Sequence, residues 1–276
     1  MDWWQAMVLG IVEGVTEYLP VSSTGHLILT QRLLKIPSSS AADAYAISIQ
    51  AGAILAVAGL YWPQVKKMFM GILGRDAAGF SLAINIVTAF LPATVFGVLF
   101  NKKIETYLFG LWPITAAWFV GGVAILAVSR WRRMHRAGAT EGLKVTEITR
   151  PMALVIGLAQ CLAMWPGTSR SLVTILAGIL VGLNLAAAVE FSFLLGVVTL
   201  TAATAFKSMH DGVAMVEAYG WTTMFIGFFF ATVSAAMAVK WMVAYLNRHS
   251  LAIFGYYRLL LAVAVAVGVL HGGGLQ

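Results

Sequence analysis

Charge is scarce in this chain and cysteine almost absent. Asp, Glu, Lys and Arg together make up 11% of the residues, and Cys161 is the one cysteine. A soluble domain carries roughly 25% charge, so so little charge excludes an ordinary water-facing surface. A single thiol excludes a disulfide framework and a cysteine-based metal site. Acids are the rarer sign, 11 against 18 Lys and Arg, and the net charge is +7. In a soluble protein that balance would suggest nucleic acid. On a membrane protein basic loops set orientation instead, so no nucleic-acid partner is expected. Short segments of strictly alternating polarity are missing too, which excludes a membrane β-barrel. The opening residues lack a basic run and soon reach Glu13 and Glu17, so they do not read as a cleaved signal peptide.

What remains is apolar. Hydrophobic residues form 60% of the 276, the mean hydropathy is +0.87, and long apolar runs recur along the whole chain. The expected fold is an all-α polytopic membrane protein forming one integral membrane domain over residues 1–276.

Polar residues inside those runs carry the information. Gly10 to Gln31, GIVEGVTEYLPVSSTGHLILTQ, is apolar enough to enter a bilayer, yet holds Glu13, Glu17, Pro20, Ser22, Ser23, Thr24 and His26. The two glutamates, four residues apart, share a helix face. Pro20 ends that helix, and the hydroxyl cluster can cap a new one. Ionisable groups at membrane depth are costly and mark a functional site by default. Gly157 to Leu176, GLAQCLAMWPGTSRSLVTIL, repeats the pattern. With a one-residue gap, Gly10 aligns with Gly157, Glu13 with Gln160, Pro20 with Pro166, and Ser23 with Ser169.

Read in order, residues 1–35 form two short helices broken at Leu19-Pro20-Val21. Each arm is too short to cross about 30 Å of hydrocarbon, so a re-entrant hairpin is expected. Pro37–Asp43 reads as a polar loop. Spans follow at Ala44–Trp62, stopped by Pro63, then at Leu82–Phe100 and Leu111–Ser129. A basic loop runs over about 131–150. Pro151–Leu183 is a second hairpin broken at Pro166-Gly167, followed by spans at Val189–Phe206, Trp221–Val243 and Leu251–Leu270. Repeat 1 thus covers about 1–130 and repeat 2 about 151–276, each a hairpin plus three spans. Three spans per copy force the second copy to be inverted in the membrane. Phe90–Phe100 weakly echoes Phe230–Trp241.

Basic residues test that topology. Lys66, Lys67, Arg75, Arg130, Arg132, Arg133, Arg136, Lys144, Arg150, Lys240 and Arg248 fall on one side, and Arg32, Lys35, Lys102, Lys103 and Lys207 on the other. The richer side is cytoplasmic, which puts both termini outside. Arg170 and Arg258 are left inside apolar segments and need another explanation.

If the two hairpin tips meet, the helices after Pro20 and Pro166 begin at a shared pocket. Their N-termini, Ser22, Ser23, Thr24, Thr168, Ser169, Ser171 and Thr174, and the Arg170 fork suit phosphate. Glu13 and Glu17 would repel it unless protonated or bridged by a hard divalent cation, Mg²⁺ or Ca²⁺. His26 lies three residues past Ser23 on the same face, as general acid or base or as nucleophile. The reaction suggested is metal-assisted hydrolysis of a phosphate ester or anhydride. Arg170 could instead pair with Glu190, and Gln50 and Arg258 are weaker candidates, Arg258 equally able to snorkel toward headgroups.

EGVTEYLPVSSTGH (Glu13–His26) and PGTSRSLVT (Pro166–Thr174) resemble the two signature motifs of the undecaprenyl-diphosphate phosphatase, or bacitracin-resistance, family. YAISIQAGAILAV (Tyr45–Val57) and FSFLL (Phe191–Leu195) are similar to its flanking spans. The resemblance implies a bacterial inner-membrane enzyme that removes the terminal phosphate of undecaprenyl diphosphate, its pocket facing the periplasm. By the same resemblance Glu13, Glu17, Ser23, His26 and Arg170 are catalytic candidates. Ser22, Thr24, Ser169, Arg170 and Thr174 are candidates for substrate binding, and Glu13 and Glu17 for the metal. The partners implied are a polyprenyl diphosphate and membrane lipid, with a second copy of the chain also considered. One departure is Gly196-Val197-Val198, where the family often places a proline after F-S-F-L-L; it reads as distant from the motifs. The rival reading is an inverted-repeat transporter or flippase for the polyprenyl phosphate carrier, which would need no nucleophile.

Overall fold

In the computed structural model the described residues are 1–37, 39–135 and 141–271. Arg136 and part of the basic loop therefore lie outside them. Among the described residues ten α-helices follow in order: α1 (Trp3–Thr16), α2 (Ser23–Leu33), α3 (Ser40–Leu60), α4 (Trp62–Ile72), α5 (Ala77–Leu108), α6 (Leu111–His135), α7 (Arg150–Gln160), α8 (Arg170–Leu180), α9 (Leu185–Leu246) and α10 (Ala252–Leu270). Among the described residues, pairing of β type is limited to one bridge between Leu143 and Leu183. Six stretches of the described residues are long and apolar enough to cross a membrane: Ala41–Leu60, Ala77–Phe100, Leu111–Met134, Leu185–His210, Gly212–Leu246 and Ala252–Leu270. The last long helix, α9, contains two of them and breaks at Gly220, whose φ of 72° leaves the helical region. The protein is a multi-pass helical membrane protein.

Several boundaries differ from the sequence expectation, each for a local reason. The Pro37–Asp43 loop gives way to α3 at Ser40, because the Ser39 side chain accepts from Ala42 N–H at 3.1 Å and caps the helix. Pro63 starts α4 rather than merely ending a span, since proline fits the first helical turn. Asn184 caps α9 by accepting from Ala187 N–H at 2.8 Å, so that helix begins before Val189.

The duplication is closer than a gapped alignment suggests. Trp3 and Arg150, Ser23 and Arg170, and Leu33 and Leu180 bound equivalent helices, and each pair stands 147 positions apart. Ser22 and Ser169 keep the same separation. Both are helix N-caps with φ of 76°, and both accept from the N–H three residues on. Ser169 therefore corresponds to Ser22, not Ser23, and Pro20 to Gly167, not Pro166. Matching proline to proline had introduced a false gap.

Packing repeats with the sequence. Gly10 of α1 rests on α9, where a β-carbon would lie 2.4 Å from Gly227 O. Gly157 of α7 rests on α5, where a β-carbon would lie 2.4 Å from Ala89 O. α1 thus docks on α9 and α7 on α5, through the close backbone approach that small residues permit. Tyr18, Ile86, Ile156, Leu172, Ile175 and Phe193 fill the core between them. Large apolar side chains such as Leu91, Val98, Phe225 and Leu260 point outward, as a lipid-facing surface requires.

Candidate functional site

Residues 17–22 and 161–169, the two interruptions, meet inside the bundle. Ser171 Oγ of α8 donates to Leu19 O at 2.9 Å, linking one break to the other. Between them lies a cavity of about 170 Å³ lined by Glu17, Ser22, Ser23, Thr24, Gln50, Ala163, Pro166, Gly167, Ser169, Arg170 and Leu200. Pockets that engulf a whole drug-sized ligand measure roughly 300–1,000 Å³, so this one suits a compact polar headgroup. The first turns of α2 and α8 both open into it. Helix starts carry unpaired N–H groups and partial positive charge, and two of them favour an anion.

Glu17 is the hub. Its Oε2 accepts from the Ser23 hydroxyl, and its Oε1 pairs with Arg170 Nη2 at 3.1 Å. Arg170 is held from behind as well: Nη1 donates to Ser192 O at 2.9 Å, and the guanidinium lies 5.2 Å from the Tyr18 ring centroid. Its partner is Glu17, not Glu190, which accepts from Gln64 Nε2 at 3.0 Å. Both members of the ion pair are buried. Removing one partner of such a pair costs about 3–5 kcal/mol, because the other charge is left buried and unpaired.

Glu13 lies next to this hub, fully buried, and among the described residues neither carboxyl oxygen has a hydrogen-bond partner. Glu17 and Arg170 are near enough for it to feel both charges. Tyr18 Oη, Gln160 Nε2 and Arg170 Nε are also buried without partners among the described residues. Groups of this kind are rare because each costs about 1–3 kcal/mol. Orphaned carboxyl oxygens at Glu13 are what a cation or a proton would satisfy. Among the described residues no cluster of three or more His, Cys, Asp or Glu side chains forms a metal cage. A cation here would rely on Glu13 and Glu17 together with oxygens of other kinds, such as the hydroxyls lining the cavity or those of a bound phosphate.

Other candidates separate by geometry. Ser22, Ser23, Thr24, Ser169 and Arg170 line the cavity. Ser171 spends its proton on Leu19 O, so in the 3.0 Å contact between the two hydroxyls Ser169 is the donor. Thr174 does not line the cavity. It donates to Arg170 O at 2.8 Å and meets Ser192 Oγ at 2.7 Å, bracing the turn that carries Arg170. His26 also turns away. Its Nδ1 faces Ser22 O at 2.6 Å, and a carbonyl can only accept, so Nδ1 carries the proton. Nε2 is left to the Tyr257 hydroxyl at 2.7 Å. Sharing a helix face with Ser23 did not bring His26 to the same cavity.

Sequence reasoning missed Tyr18, Ser192 and Gly196. A β-carbon at Gly196 would lie 2.2 Å from Arg170 Nη1, so the absence of a side chain there makes room for the guanidinium. The Gly196 departure is thus not distant from the motifs; it lies against their arginine. Gln50, a weak candidate from its sequence, lines the cavity.

Fold and site together define a class: a multi-pass membrane protein whose two helix breaks enclose a small, buried, anion-suited pocket with an acid, a hydroxyl and an arginine in contact. The chain belongs to the bacitracin resistance protein BacA family, whose model matches residues 6–264. It is 43% identical over 266 residues to the undecaprenyl-diphosphatase of Sorangium cellulosum, covering 96% of this chain and 86% of that protein. Undecaprenyl-diphosphatase 2 of Rhodospirillum rubrum is 41% identical over 261 residues, 95% and 93% of the two chains. The undecaprenyl-diphosphatase of Nitrosospira multiformis is 38% identical over 275 residues, 99% and 98% of the two.

Proposed function

We propose that this protein is an undecaprenyl-diphosphatase, hydrolysing undecaprenyl diphosphate to undecaprenyl phosphate and inorganic phosphate. The reaction returns a lipid carrier to cell-wall synthesis, and keeping that lipid out of its diphosphate form underlies bacitracin resistance. The observation that carries the reading is Glu17, bonded at once to the Ser23 hydroxyl and the Arg170 guanidinium at the wall of the pocket. A flippase or transporter would need the anion site but not an acid-bound hydroxyl beside it.

In this mechanism the terminal phosphate takes the pocket, and the polyprenyl tail stays in lipid. Arg170 and the N–H groups opening α2 and α8 neutralise the phosphate oxygens, a preorganised electrostatic contribution. Thr24 adds a hydroxyl contact, while Ser169 caps α8 and turns its own proton toward Ser171. Ser23 Oγ attacks the terminal phosphorus as its proton passes to Glu17, the bond from that phosphorus to the bridging oxygen breaks, and Glu17 hands the proton to the departing undecaprenyl phosphate, regaining its carboxylate. Water then cleaves the phosphoserine with Glu17 as base, giving inorganic phosphate and free Ser23. Ser23 is favoured over His26 because it touches Glu17 and lines the cavity, whereas both His26 nitrogens are engaged elsewhere. Glu13 and Glu17 would hold a divalent cation, Mg²⁺ or Ca²⁺, which when bound offsets the repulsion between carboxylates and phosphate.

The proposed architecture is one integral membrane domain of the bacterial inner membrane, built from two inverted repeats with re-entrant hairpins. The 147-residue register and the reciprocal docking of each hairpin on the other repeat support it. Both termini and the pocket mouth face the periplasm in this reading, which the basic-residue bias supports for the termini and the family resemblance for the mouth.

Phosphate release from a polyprenyl diphosphate by purified protein in detergent tests the function. Wild type, Glu17→Ala and Arg170→Ala are assayed with and without chelator. Cation-dependent release that both variants abolish is expected. No release by folded wild type that still binds the lipid would overturn the enzyme in favour of the transporter.

A further inference from the structure

Arg258 is the largest unexplained charge in the molecule. Its residue is 0% exposed, and among the described residues no carboxylate pairs with it. A buried cation is expensive without a counter-charge or a full set of acceptors. Arg258 has the acceptors. From α10, Nη2 donates to Gly167 O at 2.7 Å and to Ala117 O at 2.9 Å. Nη1 donates to Pro20 O at 3.3 Å, and Nε to Trp118 O at 3.3 Å. The side chain is fully buried, so it does not snorkel.

Two of those acceptors have a special relation. Pro20 and Gly167 occupy the same place in the two repeats, 147 positions apart, each two residues before the N-cap that opens α2 or α8. One guanidinium therefore holds the equivalent carbonyl of both helix breaks. The other two acceptors, on α6, fix where that guanidinium stands. Gly121 makes room for it: a β-carbon there would lie 2.3 Å from Nη2. Next to Arg258, Tyr257 Oη meets His26 Nε2 at 2.7 Å, so α10 grips the first hairpin at a second point.

We propose that Arg258 is a positioning residue that locks the two helix breaks in register, so that the N-termini of α2 and α8 face one anion. It lies behind the lining, in contact with the backbone of Gly167, and acts through Ser22, Ser169 and Arg170 rather than on the substrate. A planar fork with five donors can span four carbonyls on three segments; an ammonium keeps the charge but not the reach. The proposal rests on the reading of the hairpin tips as one phosphate pocket.

Two measurements on the full chain in detergent separate the proposal from that reading. The first is amide hydrogen exchange of peptides covering both breaks, which needs no activity. In Arg258→Gln, exchange at both breaks is expected to rise together, by about tenfold or more, with Arg258→Lys intermediate. The second is steady-state phosphate release, where kcat falls about tenfold or more while KM moves less than about threefold, as for lost transition-state alignment. Should Arg258→Gln not fold, Gly121→Ala presses on the guanidinium with Arg258 retained, and is expected to raise exchange at both breaks by a smaller factor. Exchange rising at one break only, or at neither, would overturn the lock. So would Arg258→Lys behaving as wild type, because charge alone would then suffice. A wild type without phosphatase activity would sink the functional reading and leave the exchange result to decide the lock.

Discussion

Gly196 has no functional group, yet it decides where the functional group of Arg170 can stand. A methyl at that position would occupy space within 2.2–2.6 Å of the guanidinium atoms, and α9 is too long and regular there to yield. Gly196→Ala is expected to displace the fork and lower phosphate release about 100-fold, since a shift of about 1 Å can cost that much. Gly59→Ala is the control: a β-carbon there meets nothing within 4 Å, so activity is expected to be unchanged, with stability up by about 0.5–1 kcal/mol. Equal activity of the two variants would refute the seat. The same contrast marks what could be read from residues alone. Glu13, Glu17 and Arg170 stand out in any apolar run because charge at membrane depth is costly. Gly196, Ser192 and Tyr18 look like any other residues of a membrane helix, and their role exists only once Arg170 lies against them.

At the scale of elements, the short arms α1 and α7 are held by docking more than by length. Helices of 14 and 11 residues are marginal alone, so their stability comes from the spans they rest on. Gly10→Leu and Gly157→Leu would each drive a side chain into a carbonyl 2.4 Å away, at Gly227 and Ala89 respectively. Each is expected to cost about 1–3 kcal/mol or more, read as a lower melting temperature in detergent, with similar losses for the two. A loss at one glycine only would break the equivalence of the two docking sites. The breaks were legible because Pro20 and Pro166-Gly167 interrupt apolar periodicity. The true register was not, because it is carried by two capping serines with φ of 76°, a backbone property with no letter of its own.

For the whole molecule, orientation follows from charge, while assembly follows from packing. In a Cys161→Ala background, Met209→Cys (84% exposed in the parent) is expected to react with an impermeant thiol reagent added outside cells. Lys66→Cys, exposed at the other end of the bundle, is expected to react only after the membrane is opened. The reverse pattern would invert the topology drawn from the basic loops.

Composition and hydropathy by themselves determined a multi-pass helical protein, because a bilayer admits few other solutions for an apolar chain. Charge and hydroxyl residues inside apolar segments determined which two stretches hold the site. Only the tertiary structure decided which of those groups meet. It put Ser23 and Arg170 on Glu17, turned His26 toward Tyr257, withdrew Thr174 behind Arg170, and gave Arg258 a carbonyl from each break. The reason is physical: helix spacing fixes which face a side chain shares, but the partner across that face comes from another segment, as much as 153 residues away for Arg170 on Glu17 and 231 for Tyr257 on His26, brought there by close packing.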